Sequence, residues 1–237
     1  MRVAGLIAIN FLREQRWVLV ALVSSVIVLS SLASWDTPSI ALEDVLYFLK
    51  QQALYGVAFA VFLASAAIHN DRRSRRILAV LSKGIERREY LAGLLMGVWG
   101  ASFVYCIAMT LAGVVVFPRA RVPQPSSWII IVSLFCVCIL TSTIALLFAT
   151  MMPPLVAALA SALTLGLMSA VANMLPSASI VLPVFPLLKM IVDFSPATRL
   201  RWSMALPYLL VALIEATIAW LIAAQVFESR DVAVPVE

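Results

Sequence analysis

Charge is scarce in this sequence: Asp, Glu, Lys and Arg together make up 12% of 237 residues, and histidine occurs once. A domain wetted on all sides carries about a quarter of its residues as charges, so an ordinary soluble fold is excluded. With only His69, no H-E-x-x-H pair and no Ser–His dyad can be built. No glycine-rich loop ends in Gly-Lys-Ser/Thr. The one such neighbour pair is reversed, Lys83-Gly84, so no phosphate cradle is present. Cysteine numbers three, at 106, 136 and 138, all inside apolar runs, which implies no disulfide framework. Cys136 and Cys138 stand two apart and do not face each other on a helix, so Cys106, Cys136 and Cys138 read as small apolar fillers. The expectation is a non-enzyme with no catalytic residue, no metal ligand, no cofactor of its own and no nucleic-acid partner.

What is abundant is apolar sequence, 63% of the chain. Several uncharged runs approach the ~20 residues that cross a ~30 Å hydrocarbon layer. They do not alternate, so they are not barrel strands. Backbone groups in lipid must then be satisfied within helices. The expected fold is an all-α membrane protein, one membrane domain over 1–237, with six spans at about 17–35, 51–69, 90–117, 128–150, 155–173 and 205–227. Trp17 and Trp35 bracket the first span as interfacial anchors. The charged stretch before it is too long and amphipathic for a cleaved leader, so 17–35 is read as a retained helix. Residues 2–16 carry Val3, Leu6, Ile7 and Phe11 at helical spacing and read as an interfacial helix. Residues 174–204 hold Pro176, Pro183, Pro186 and Pro196 around an apolar stretch. They are too broken to span and too apolar for a solvated loop, and read as a re-entrant segment.

Lys and Arg set the orientation. With the N-terminus inside, the cytoplasmic segments hold Arg2, Arg13, Arg16, Arg72, Arg73, Arg75, Arg76, Lys83, Arg87, Arg88 and Arg230; the other side holds Lys50, Arg119, Arg121, Lys189, Arg199 and Arg201. The bias predicts both termini in the cytoplasm of a multi-pass plasma (bacterial inner) membrane protein. Most of it comes from the loop 70–89. That loop attracts anionic membrane lipid at ~1 kcal/mol per basic residue. It also carries Ile77, Leu78 and Leu81 on one face of a short helix, flanked by Arg72, Arg73, Arg76, Arg87 and Arg88. An apolar face with a charged rim suits a groove on a partner protein.

Two further features stand out. Glu215 is the one acid near the middle of a span, where a charge costs at least ~2.5 kcal/mol. It reads as a helix tether, bonded to a hydroxyl such as Thr141, Ser142, Thr143 or Thr164, or as a point on a translocation path. As a tether it should tolerate Gln and not Leu. Gly93 and Gly97, with Gly100, and Gly166 in the fifth span mark helix-packing faces.

The stretch Arg76-Ile77-Leu78-Ala79-Val80-Leu81-Ser82-Lys83-Gly84-Ile85-Glu86-Arg87-Arg88-Glu89-Tyr90-Leu91-Ala92-Gly93 resembles the first cytoplasmic loop of type-2 ABC exporter permeases. The family pattern there is Leu-Ser-x-Pro-x-Ser-Arg-x-x-Tyr-Leu-x-Gly-Lys. Leu81, Ser82, Arg87, Tyr90, Leu91 and Gly93 fit it, while Gly84, Glu86 and Leu94 depart from it. The resemblance extends to the layout of the whole chain. It implies a permease that pairs with a second, identical or related chain. It also implies docking of Arg72, Arg73, Arg76, Ile77, Leu78, Leu81, Arg87 and Arg88 on a separate ABC ATPase subunit, which alone uses ATP.

Overall fold

The computed structural model describes residues 2–35, 42–73, 85–119, 124–192 and 201–229, and every structural statement below is made of these. They fold entirely as helices: α1 (Arg2–Glu14), α2 (Arg16–Trp35), α3 (Leu42–Arg73), α4 (Arg87–Arg119), α5 (Gln124–Met151), α6 (Pro154–Met174), a 3-10 turn (Pro176–Ile180), α7 (Val184–Val192) and α8 (Trp202–Ser229). Five of them are long and apolar enough to cross a membrane, over Tyr47–Arg73, Arg87–Val114, Trp128–Met151, Pro154–Met174 and Trp202–Ser229. The chain is therefore built as an α-helical membrane protein. α2 adds a shorter apolar stretch, Arg16–Val28.

The five long helices alternate in direction, and the contacts show it. The Asp71 end of α3, the Tyr90 end of α4 and the Phe227 end of α8 meet. α5 turns into α6 through Met152 and Pro153 alone, at that same end. Pro153 is extended at φ −64°, ψ 157°, and Pro154 opens α6, where a missing N–H costs nothing. Between α6 and α8 lie the 3-10 turn and α7. At nine residues α7 is too short to cross, and it packs on α3, α5, α6 and α8.

α5 is the axis of the bundle. It is apolar on every side and buried on nearly every side, as a helix without a polar face must be if it does not face lipid alone. Three of its buried hydroxyls find partners locally: Thr141 donates to Cys138 O, and Ser142 and Thr143 to Ile139 O, whereas Ser133 has none among the described residues. Helix α8 lays an alanine seam, Ala205, Ala212, Ala216 and Ala223, against it. In lipid the hydrophobic effect does not draw helices together, so such small residues let backbones close in and gain dispersion contacts.

Residues 2–14 are helical, as their spacing predicts. Their placement is not that of a helix lying alone at a surface. Ala4 and Ile7 meet Gly93, Phe11 meets Gly97, and Leu12 meets Gly100. Both series rise together, so α1 runs alongside α4 in the same direction. The buried stripe is Ala4, Ala8 and Phe11, with Ile7 packed beside it, while Leu6 faces out. Backbone bonds Gln15 N to Phe11 O and Leu19 N to Gln15 O carry α1 almost without a break into α2. Arg13 and Arg16 consequently stand level with the middle of α4, on the exposed side.

The glycine face of α4 thus has an identified occupant. A Cβ at Gly93 would fall 2.8 Å from Ile7 Cβ, and one at Gly97 2.8 Å from Phe11 Cδ1. Gly97→Leu is therefore expected to lower stability by about 1–3 kcal/mol through overpacking, read as a fall in thermal midpoint in detergent. Gly166→Ala meets nothing within 4 Å and should leave the midpoint unchanged or slightly raised. Equal effects at the two sites would contradict the seat of α1.

Candidate functional site at the charged end of the bundle

The two flanks of the stretch 70–89 are each held in place. On the α3 side, Asp71 accepts a 2.7 Å hydrogen bond from the Tyr90 hydroxyl. Tyr90 is fully buried, and its ring stacks on Phe227 with centroids 6.1 Å apart. On the α4 side, Arg88 grips Glu228 with both arms of its guanidinium, at 2.6 Å and 3.0 Å. Arg87 donates to the carbonyls of Phe227 (3.3 Å) and Glu228 (3.0 Å). These carbonyls lie in the last turn of α8, where no intrahelical donor remains and the helix dipole is negative, so a guanidinium is a fitting cap.

Three helix ends, of α3, α4 and α8, are therefore clamped into one platform. The Arg88–Glu228 pair is solvent-exposed and adds little to stability, whereas the buried Tyr90 anchors the assembly. Of the residues expected to dock a partner, Arg72 is half-buried with its Nε lacking a hydrogen-bond partner among the described residues, and Arg73 is exposed. Arg87 and Arg88 are turned toward α8. Arg76, Ile77, Leu78 and Leu81 fall in 74–84, outside the described residues. Glu228 and Asp71 had no part in the sequence reading. Their only signal was an acid at the end of each apolar run, opposite a basic cluster.

Glu215 lies on α8 at mid-helix, half-buried, with Oε2 enclosed and without a hydrogen-bond partner. The hydroxyls expected to tether it are engaged elsewhere: Thr141, Ser142 and Thr143 as above, and Thr164 with Ala160 O. In a segment starved of donors, a Ser or Thr satisfies itself against its own helix first. Gly93 and Gly97 pack on α1, whereas Gly166 faces open space. Cys106, Cys136 and Cys138 are buried free thiols, and no group of three potential metal ligands comes together among the described residues.

A second buried polar knot escaped the sequence reading. The Tyr105 hydroxyl donates to Gln52 O at 2.6 Å and lies 2.9 Å from Gln52 Oε1. Its ring occupies the place of a side chain at Gly56, where a Cβ would fall 2.5 Å from Tyr105 Cε1. The polar Gln51-Gln52 pair heading an apolar run was the available hint. No protein-family model, no curated protein and no solved structure matches the chain.

Two outcomes are expected at these positions. Tyr90→Ala should cost about 3–5 kcal/mol and Tyr90→Phe about 1–3 kcal/mol, with Arg88→Gln close to neutral, all read as thermal midpoints. For Glu215 the local geometry leads to a second expectation beside the tether drawn from sequence. Since the hydroxyls of Thr141, Ser142, Thr143 and Thr164 are already bonded, Glu215→Leu leaves none of them stranded and removes an unpaired buried oxygen, so it should fold with an unchanged or raised midpoint. A midpoint that falls for Leu and not for Gln would restore the tether.

Proposed function

We propose that this chain is the membrane-spanning permease subunit of an ATP-driven ABC exporter, working as a pair with a second permease chain and docked on a separate cytoplasmic ATPase. The observation that carries this reading is the loop 70–89. It combines the family-like pattern from Arg76 to Gly93 with an apolar stripe at Ile77, Leu78 and Leu81. The clamped platform around it supports a mechanical role. A force applied to the loop reaches α3, α4 and α8 together, because Tyr90, Asp71, Arg88 and Glu228 tie their ends. A loop that served only as a charge anchor would need no such mount.

The pairing of two permeases has support of its own. Arg13 and Arg16 stand exposed beside the middle of α4, where contact with bare lipid costs ~2.5–3.5 kcal/mol each on insertion scales. A second chain, or a water-filled path between two chains, removes that cost. In this reading six spans, the first being α1 continued into α2, put both termini in the cytoplasm, and the segment 174–204 re-enters the membrane from the far side. ATP is bound and hydrolysed by the partner alone.

A self-contained secondary transporter is the second reading. The enclosed, partnerless Glu215 favours it, as a carboxyl poised to bind a proton. One acid is thin machinery for ion coupling, and this reading leaves the loop platform unused. A membrane scaffold without transport would use neither feature.

The deciding experiment replaces Ile77 and Leu81 together by Asp. Buried apolar anchors carry most docking energy and rim charges mostly steer, so the double variant should release the ATPase or uncouple its turnover from transport, while inserting normally. The measurements are co-purification with the ATPase and substrate-stimulated ATP hydrolysis. Retention of both by the double variant would end the permease reading, and loss of transport with Glu215→Gln in the absence of any ATPase would favour the second.

A further inference from the structure

A cavity of about 400 Å³ lies between α3 and α6, away from the charged platform. Leu54, Val61 and Phe62 form one wall, and Leu155, Ala162 and Gly166 the other. The α3 residues recur at helical spacing and continue the same face upward by one turn to Lys50, which is exposed. Across the mouth, α7 contributes Val184 and Leu188 to the lining. The next residue, Lys189, is exposed, with its ammonium 5.7 Å from the Phe185 ring. Thr141, at the back, donates its hydroxyl to its own helix and offers the cavity no free donor.

The position along the bundle is fixed by shared cores. Leu49, beside Lys50, and Ile191, two residues past Lys189, pack in one cluster with Ile130. Val184 packs with Ile129 and Ala205. The lysine mouth is therefore at the end that carries Trp128 and Trp202, the pair of rings suited to a membrane–water boundary. From there the cleft descends to Leu155, near the opposite end of α6. Ser169 to Leu155 spans 14 residues of helix, ~21 Å at 1.5 Å per residue, about two thirds of a ~30 Å hydrocarbon layer.

We propose that this cleft seats one acyl chain of an anionic membrane phospholipid, with Lys50 and Lys189 receiving its phosphate. The length is that of an extended chain, and apart from the hydroxyls of Thr141 and Ser169 the lining is apolar. Gly166 contributes by omission, since a Cβ there would meet nothing within 4 Å and the room it leaves belongs to the guest. Lys50, one turn beyond Leu54, and Lys189, next to Leu188, are exposed cations with no ion-pair partner among the described residues, and they are the groups offered to the head. The inference does not depend on the permease reading.

The test uses the full chain in nanodiscs of dioleoylphosphatidylglycerol and dioleoylphosphatidylcholine in equal amounts, released for native mass spectrometry. The wild-type chain should retain phosphatidylglycerol in preference to phosphatidylcholine. Lys50→Gln and Lys189→Gln should each lower that preference by about fivefold while phosphatidylcholine retention holds. Gly166→Phe fills the cleft and should abolish retention of both lipids. Ala162→Phe fills it from a neighbouring turn and takes its place where Gly166→Phe fails to fold. Lipid retained in full by a folded filled variant would overturn the proposal, as would lysine variants with unaltered preference. If filling the cleft dissociates a dimer and leaves lipid retention intact, the cleft is a protein contact and the proposal falls.

Discussion

Close approach of backbones is the constraint on which the rest of this structure depends. Helices surrounded by hydrocarbon gain nothing from burying apolar surface, so they must gain from touching. The chain arranges this twice. On α4, Gly93, Gly97 and Gly100 open a furrow that α1 fills with Ile7, Phe11 and Leu12. On α8, an alanine seam closes against α5. Two features described above are hung on these contacts. The first sets the depth of Arg13 and Arg16, and the second fixes α8 so that its last turn can receive Arg87 and Arg88.

Polar groups follow a complementary rule. Ser102 and Ser133 are buried without a partner among the described residues, while several hydroxyls bond their own helix, and their protons then contribute nothing to the meeting of helices. Thr141, Ser142, Thr143 and Thr164 all take this course. The exceptions, Tyr105 on Gln52 and Tyr90 on Asp71, use a side chain long enough to bridge two helices. These tyrosines sit about four turns apart on α4, so the α3–α4 pair is pinned twice and its relative sliding is restrained.

Much of the fold was legible in the sequence, because the length of an apolar run is read directly against the thickness of a bilayer. The helices over Tyr47–Arg73, Arg87–Val114, Trp128–Met151, Pro154–Met174 and Trp202–Ser229 lie where the runs place them. The prolines of 174–204 announced a segment too broken to cross, and it holds a 3-10 turn and a nine-residue helix. What was not legible is which faces meet. The spacing Gly93-x-x-x-Gly97 announces a contact and is silent about its partner, which proves to be the N-terminal helix. The same small-residue logic suggested packing at Gly166, where the structure leaves a cleft. The partners of Tyr90, Asp71 and Glu228 depend on three helix ends converging, a tertiary fact with no local trace. At Glu215 the sequence supplied candidate hydroxyls and could not tell that each had a nearer acceptor.

The seat of α1 on α4 has a consequence for how the chain is made. Ala4 rests against Gly93, and at synthesis rates of ~5–20 residues per second the glycine furrow emerges roughly 5 to 20 seconds after the residues that will fill it. Throughout that interval the first helix has no mate, and its arginines have no sheltered place within the bilayer. The amino-terminal segment must wait, at the water boundary or in the care of the insertion machinery, until α4 is laid down. Assembly of α1 on α4 is therefore a late step, in which residues made before the furrow wait for it to reach their seat.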